Sequence, residues 1–289
     1  MPQLGLGTAQ FGMHYGVANR RGQTPEAEVG AILERAADTG FVVLDTAPAY
    51  GDAEAIIGRL GVAKRFRVVT KTPQFRGRYR AGDVSDAAAA SRARLRVDRL
   101  DTILIHHPDD IRGRYSERII DELLTLKSRG EVERIGLSIY DRGDITRFQR
   151  LDAIDVVQLP LNLFDQRLLL DGTVESLASR GVEIHVRSIF LQGLILSSSE
   201  AIPPPLLPLR PWLDRLSSEV AARGIDPLSA ALGFIRHLTA VAVALIGVEQ
   251  LAQLEAILSA WARAPAFDAS PYVDTPADLV DPRRWPKFQ

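Results

Sequence analysis

Four side chains in this chain, Asp45, Tyr50, Lys71 and His106, make a set whose joint chemistry exceeds that of any one of them. A phenol with a pKa of about 10 is a reluctant proton donor at neutral pH. A neighbouring ammonium would stabilise the phenolate and lower that pKa, and a buried carboxylate would keep the ammonium charged and in place. An imidazole beside them can hydrogen-bond a carbonyl oxygen and aim it at the phenol. Such a set suits protonation of a developing alkoxide, a general-acid step contributing about 10²–10⁴ in rate. It holds no source of the two electrons that reduce a carbonyl, so a hydride donor must come from outside the chain.

These residues converge only if the fold brings them together. Short β-type runs recur at Leu4–Thr8, Phe41–Asp45, Phe66–Lys71, Thr102–His106, Arg134–Ser138, Val156–Pro160, Val182–Val186 and Val241–Gly247. Most are almost continuously apolar, which suits strands covered on both faces. Helical patterns separate them. Thr24-Pro25 reads as a cap and first helical position, followed by Val29, Ile32, Leu33 and Ala36 on one face and a stop at Gly40. Ile119, Ile120, Leu123 and Leu124 form another face, and further helices are expected at about Val84–Val97, Leu169–Arg180, Pro211–Arg223, Pro227–Leu238 and Gln250–Trp261.

Eight strands alternating with helices predict a (β/α)8 TIM barrel, an α/β fold, as one domain over residues 1–289. A doubly wound open sheet is the rival, but no Gly-x-Gly-x-x-Gly follows any strand. In a barrel the chemistry sits at the C-terminal ends of the strands. Asp45, Lys71 and His106 are each the last residue of a predicted strand, and Tyr50 lies just beyond one, so all four share that face. Gln192–Leu209 reads as a long loop after the seventh strand. The proline-rich tail from about 264 to 289 reads as a strap on the barrel wall in preference to a lid.

Composition removes other classes. With 35 basic against 36 acidic residues, the chain lacks the cationic excess that a phosphate track requires, so no nucleic-acid partner is expected. No cysteine is present, which excludes disulfides, thiolate metal sites and thiol nucleophiles. No apolar run reaches the ~18 residues of a membrane span and no signal segment opens the chain. A cytoplasmic protein with no membrane partner is expected.

The segments Leu44-Asp45-Thr46-Ala47-Pro48-Ala49-Tyr50-Gly51, Thr70-Lys71-Thr72, Leu104-Ile105-His106-His107-Pro108-Asp109 and Arg134-Ile135-Gly136-Leu137-Ser138 resemble the aldo-keto reductase family, in its bacterial branch, and the likeness runs in order from Leu4 to about Leu258. The resemblance implies a barrel that reduces aldehydes, ketones or sugars with a nicotinamide cofactor. It assigns Tyr50 as proton donor, Lys71 and Asp45 as its tuning pair, and His106 as the group that orients the carbonyl. It also implies that Ser138 and Gln158 hold the carboxamide. Arg187 stands where an aromatic residue commonly stacks on the nicotinamide, and Ser188, Leu191, Gln192 and Gly193 follow it along the cofactor. Gly247, Glu249 and Gln253 match the phosphate-binding turn and the start of the last helix. At the adenosine end Glu249 replaces the basic residue that usually reads a 2′-phosphate. NADP(H) is therefore favoured only slightly, with NAD(H) as the alternative. With only three residues before the first predicted strand, the N-terminal hairpin that often plugs the barrel floor in that family is not expected here.

Other residues are expected to be quieter. His107 should point away from its neighbour His106, and a metal held by the two is not expected. His14 and Tyr15 are candidates for a pocket wall, as are Phe11, Trp212 and Trp285. His185 should pack against a helix, and Arg76, Arg78 and Arg80 should lie in a solvated loop. Two alternatives to a reductase stand beside it. One is a Schiff-base lyase or isomerase using Lys71, and the other is a non-catalytic nucleotide-binding sensor. The expected partner is a small carbonyl or alcohol; the substrate itself and the oligomeric state are not encoded legibly.

Overall fold

The apolar runs fold as strands that are buried on both faces, as their patterning requires. In the computed structural model, which describes residues 1–286 apart from Arg147 and Gln149, they are β1 (Gln3–Gly7), β2 (Val43–Asp45), β3 (Arg67–Lys71), β4 (Leu100–Ile105), β5 (Val132–Ser138), β6 (Val156–Pro160), β7 (Glu183–Arg187) and β8 (Val243–Gly247). All pair in parallel in chain order, and β8 returns to β1 to close a barrel. Val43, Val69, Leu104, Val156, Val243 and Leu245 fill its interior as a separate apolar cluster. Residues of the other parity, such as Leu44, Val68 and Ile103, join the larger core between the strands and the helices.

The helix Glu26–Asp38 buries Val29, Ile32, Leu33 and Ala36, the stripe read from the sequence. Its start differs from expectation: Pro25 precedes the first helical residue, and Thr24 makes no capping bond. The helices Asp83–Leu95, Ser116–Ser128, Arg210–Ala222, Pro227–Arg236 and Leu251–Arg263 lie close to their predicted positions. The expected helix at Leu169–Arg180 is instead two pieces, Arg167–Leu170 and Thr173–Ser179, divided at Gly172, whose φ is +77°. Ala53–Leu60 forms a helix not anticipated, with Ile56 and Ile57 buried.

The barrel floor is charged. Glu183 accepts from Arg67 at 2.5 Å and from Arg134 at 2.7 Å, and its carboxylate lies 2.7 Å from His185 Nε2. Arg134 also pairs with Asp101. Burial alone would raise the Glu183 carboxyl, but the bonds to His185 and Arg67 outweigh it and hold it down at about 2. His185 therefore faces this network, where the sequence suggested packing against a helix. No helix among the described residues is long and apolar enough to cross a membrane.

From Ala264 the tail runs along the barrel wall. Tyr272 is fully buried and donates to Glu219 at 2.6 Å, and Gln166 donates to the Ala269 carbonyl at 2.7 Å. Trp212 donates to Asp274 and Trp285 to the Leu279 carbonyl, while Phe11 is core. None of these three rings lines the main cleft. Lys287, Phe288 and Gln289, the end of the tail, lie outside the described residues.

Candidate active site

Lys71 closes β3 with its side chain turned into the barrel mouth and no exposed surface. Its ammonium donates to both oxygens of Asp45, at 2.8 Å each, and to the Thr46 carbonyl at 2.9 Å. All three N–H bonds are thereby used. Asp45, the last residue of β2, also accepts from Gln158 Nε2 at 2.7 Å, and its main-chain carbonyl accepts from both the amide and the hydroxyl of Thr8. On the helix side of β3, the buried Glu54 accepts from Thr70 at 2.6 Å and from Arg94 at 2.7 Å. Sequence reading missed Glu54, because it belongs to the unanticipated helix.

Tyr50 follows β2 in a loop seated on Gly12. A methyl group on Gly12 would lie 1.8 Å from the Tyr50 carbonyl oxygen. Facing it, Gly51 has a φ of +56°, which costs a residue without Cβ little, and a Cβ there would lie 2.2 Å from the Gly12 carbonyl. Two backbones thus touch where no side chain fits, and this contact sets the height of the phenol. The Lys71 ammonium lies 5.0 Å from the centroid of the Tyr50 ring.

Burial and then the Asp45 charge push the Tyr50 phenol above its ordinary range, with Arg187 opposing them. This corrects the expected lowering by Lys71. The ammonium spends its protons on Asp45 and Thr46 and makes no hydrogen bond to the phenol, so the phenol stays protonated.

His106, one residue past β4, meets Tyr50 edge-on at 6.0 Å between ring centroids. Burial, with Lys71 and His107 adding to it, pushes its imidazole down to about 2. It is neutral at any physiological pH, and its buried Nδ1 has no hydrogen-bond partner. His107 does not diverge as expected: the two rings lie 4.6 Å apart, because the strand alternation has already ended at Ile105. Among the described residues no group of three or more His, Asp or Glu is placed to hold a metal.

A cleft of about 1410 Å³, its open mouth included, crosses the barrel top from Tyr15, Asp45 and Tyr50 to Glu249, Gln253 and Ile257. Its enclosed part, about 380 Å³, falls within the ~300–1,000 Å³ of small-ligand pockets. Arg187, Ser188, Gln192, Gly193, Gly247, Glu249 and Gln253 line it. Leu191 does not, since its side chain is buried in the core. Ser188, Leu191 and Gln192 all have left-handed φ values of +48° to +61°, and the loop they form meets the β1 loop through the bond from the Ala18 amide to the Gln192 carbonyl.

The residues present fit a nicotinamide dinucleotide. Gln158 is fully buried, and its Oε1 is an acceptor with no partner, free for a carboxamide N–H. Ser138 closes β5 beside it, paired in register. At the far end, Gln253 Oε1 accepts from the Glu249 amide at 2.7 Å, and Glu28 accepts from the Leu251 amide at 2.6 Å. Two carboxylates thus sit at the start of the helix Leu251–Arg263. Burial raises the Glu249 carboxyl, with Arg21 and His14 of the β1 loop opposing. Tyr15, more than a third exposed, lines the same cleft as Tyr50.

Tyr140, two residues past β5, was not anticipated. Its ring carries the Arg187 guanidinium on one side, 4.1 Å from the centroid, and that of Arg283 from the tail at 4.0 Å. A strand-end position was the only sign of it.

The model of the aldo/keto reductase family matches residues 3–270. The 6-dehydroglucose reductase of Novosphingobium aromaticivorans is 26% identical over 265 residues, 84% of each chain. Aldo-keto reductase YhdN of Bacillus subtilis is 28% identical over 179 residues, which are 57% of this chain but only 52% of that relative. Among solved structures, aldo-keto reductase AKR11C1 from Bacillus halodurans (holo form) superposes with a TM-score of 0.72 over 93% of this chain and 89% of its own, at 19% identity.

Proposed function

This chain belongs to the aldo/keto reductase family, and we propose that it reduces an aldehyde, ketone or open-chain sugar with NADH or NADPH, Tyr50 acting as general acid. The observation that carries this reading is the buried Lys71–Asp45 pair beside the Tyr50 ring, at one end of the cleft that runs across the barrel top to Glu249 and Gln253.

A bound reduced nicotinamide supplies the hydride. Ser138 and Gln158 would hold its carboxamide, the latter through its free Oε1. His106, neutral and therefore a directional donor, orients the carbonyl oxygen. Tyr50 delivers its proton to that oxygen as negative charge develops there. A phenol of raised pKa still protonates an alkoxide, which is far more basic. Lys71 and Asp45 act as a fixed dipole beneath the ring, holding a positive charge near the phenolate that remains. The name of the Novosphingobium relative supports a sugar carbonyl as one substrate class. The cytoplasm, where reduced dinucleotide is replenished, is the proposed location.

At the adenosine end, Glu249 and Glu28 oppose a dianionic 2′-phosphate, while Arg21 and His14 lie near enough to Glu249 to offset part of its charge. The protein should accept NADH at least as well as NADPH, against the habit of the family. The Schiff-base reading has less support, because Lys71 has no exposed surface and all its protons are engaged.

Two measurements test the proposal. Fluorescence titration with NADH and NADPH in parallel should give sub-millimolar binding of at least one, and binding of neither sinks the reading. Tyr50→Phe should abolish carbonyl reduction across a broad panel while leaving dinucleotide affinity nearly unchanged. Retention of more than a few per cent of wild-type activity would show that another group donates the proton. Normal binding with no turnover by the wild type would turn the case towards a sensor.

A further inference from the structure

Arg187 is an unbalanced charge at the centre of the cleft. It donates to the Ile139 carbonyl at 3.1 Å, reaches the Ser188 hydroxyl at 3.4 Å and rests on the Tyr140 ring. Among the described residues no carboxylate pairs with it. Its charge is felt by Lys71 and His106, both of which it lowers, and by the phenols of Tyr50 and Tyr15. Asp45, the acid at the mouth of the barrel, is already taken by Lys71 and Gln158. By contrast Arg283, on the other face of Tyr140, is balanced by Asp281 at 2.6 Å and Asp141 at 3.3 Å. Asp281 is itself fully buried, so the tail holds this second guanidinium firmly against the ring.

A reduced nicotinamide ring is neutral and an oxidised one carries a positive charge. We propose that Arg187 makes this site discriminate against the oxidised cofactor, so that the enzyme loads the reduced form and lets the oxidised product leave readily, and that the Tyr140–Arg283 stack of the C-terminal tail positions Arg187 for that role. The inference rests on the reading of the cleft as a nicotinamide site. Two like charges held within one partly enclosed site repel strongly enough to change an equilibrium by about tenfold or more. Tyr140 supplies a negative ring face to both guanidiniums, so the loss of one cation leaves the other free to tilt. The tail thereby tunes a redox preference without touching substrate.

The test is equilibrium titration of the full-length protein with the reduced and oxidised forms of whichever dinucleotide binds. The wild type should prefer the reduced form by tenfold or more. Arg187→Gln should shrink that ratio severalfold, mainly by tighter binding of the oxidised form, while Arg187→Lys, which keeps the charge, should preserve most of it. Arg283→Gln should lower the ratio part of the way, and Arg283→Lys should restore it. An unchanged ratio in Arg187→Gln overturns the proposal while leaving the nicotinamide reading intact. If Arg283→Gln weakens both forms equally, the tail is a structural strap and its positioning role falls. If the wild type binds neither form, the nicotinamide reading fails and this inference with it.

Discussion

Gly12→Ala is the sharpest probe of how the phenol is held. The added methyl carbon would stand 1.8 Å from the Tyr50 carbonyl oxygen and 2.4 Å from the Ala53 nitrogen. Both are backbone atoms, so no side-chain rotation relieves the clash, and the loop must retreat by roughly 1.5 Å to regain ordinary contact. The facing Gly51 is equally closed, since its own Cβ position lies 2.2 Å from the Gly12 carbonyl. A displacement of about 1 Å at a reacting group costs about 10²-fold in rate, and overpacking of this kind costs about 1–3 kcal/mol in stability. The variant should therefore fold, lose stability in that range by urea denaturation, and bind dinucleotide within about threefold of wild type, but lose about 100-fold in kcat/KM. Gly30→Ala is the matched control. Its methyl would meet only Leu60 Cδ2, at 3.7 Å, in the middle of a helix, so it should gain about 0.5–1 kcal/mol with activity unchanged. Gly12→Ala with activity within threefold of wild type would refute the argument that this backbone contact sets the phenol.

Carbonyl reduction should show no inflection near pH 6.5, because burial holds His106 neutral down to about 2, and it should stay level to pH 9 because Tyr50 keeps its proton. Alcohol oxidation, which needs the phenolate, should rise with pH over the same range; a reduction profile that falls below pH 6.5 and is levelled by His106→Asn would contradict the burial argument. On the barrel floor, Glu183 is held at about 2 against an ordinary 4.5, so the stability it contributes is full above pH 4.5 and is lost as pH falls towards 2. Glu183→Gln should cost about 1–3 kcal/mol at pH 7, discounted for partial exposure. It should flatten the acid limb of the unfolding curve and leave dinucleotide affinity at the opposite end untouched.

How much of this was legible in the sequence depends on the range of the interaction. The strands were legible because burial on both faces writes an uninterrupted apolar run, and Asp45 and Lys71 could be paired because each ends a strand. The helix Ala53–Leu60 was hidden, since its first turn merges with the Tyr50 loop and its stripe is only Ile56 and Ile57. The state of the phenol was misjudged because sequence names the ammonium but not where its three protons go. Nor does spacing reveal that residues 140, 187 and 283 stack, or that His106 and His107 turn together once the strand has ended.

The closure of the barrel has a consequence for the order of assembly. Each of the five residues of β1 finds its partner on β8, about 240 positions later in the chain, while β2 offers it only three. The helix Glu26–Asp38 is likewise fastened to the helix Leu251–Arg263, through Glu28 at the Leu251 amide and Arg35 on Glu255. On a ribosome adding about 5–20 residues per second, β1 waits at least ten seconds for the strand that completes it. Through that interval the nascent sheet has two unpaired edges, the places where another chain would add. Premature termination before Gly247 would leave both edges open for good, so truncated products of this gene should be removed by proteases or aggregate instead of accumulating as partial barrels.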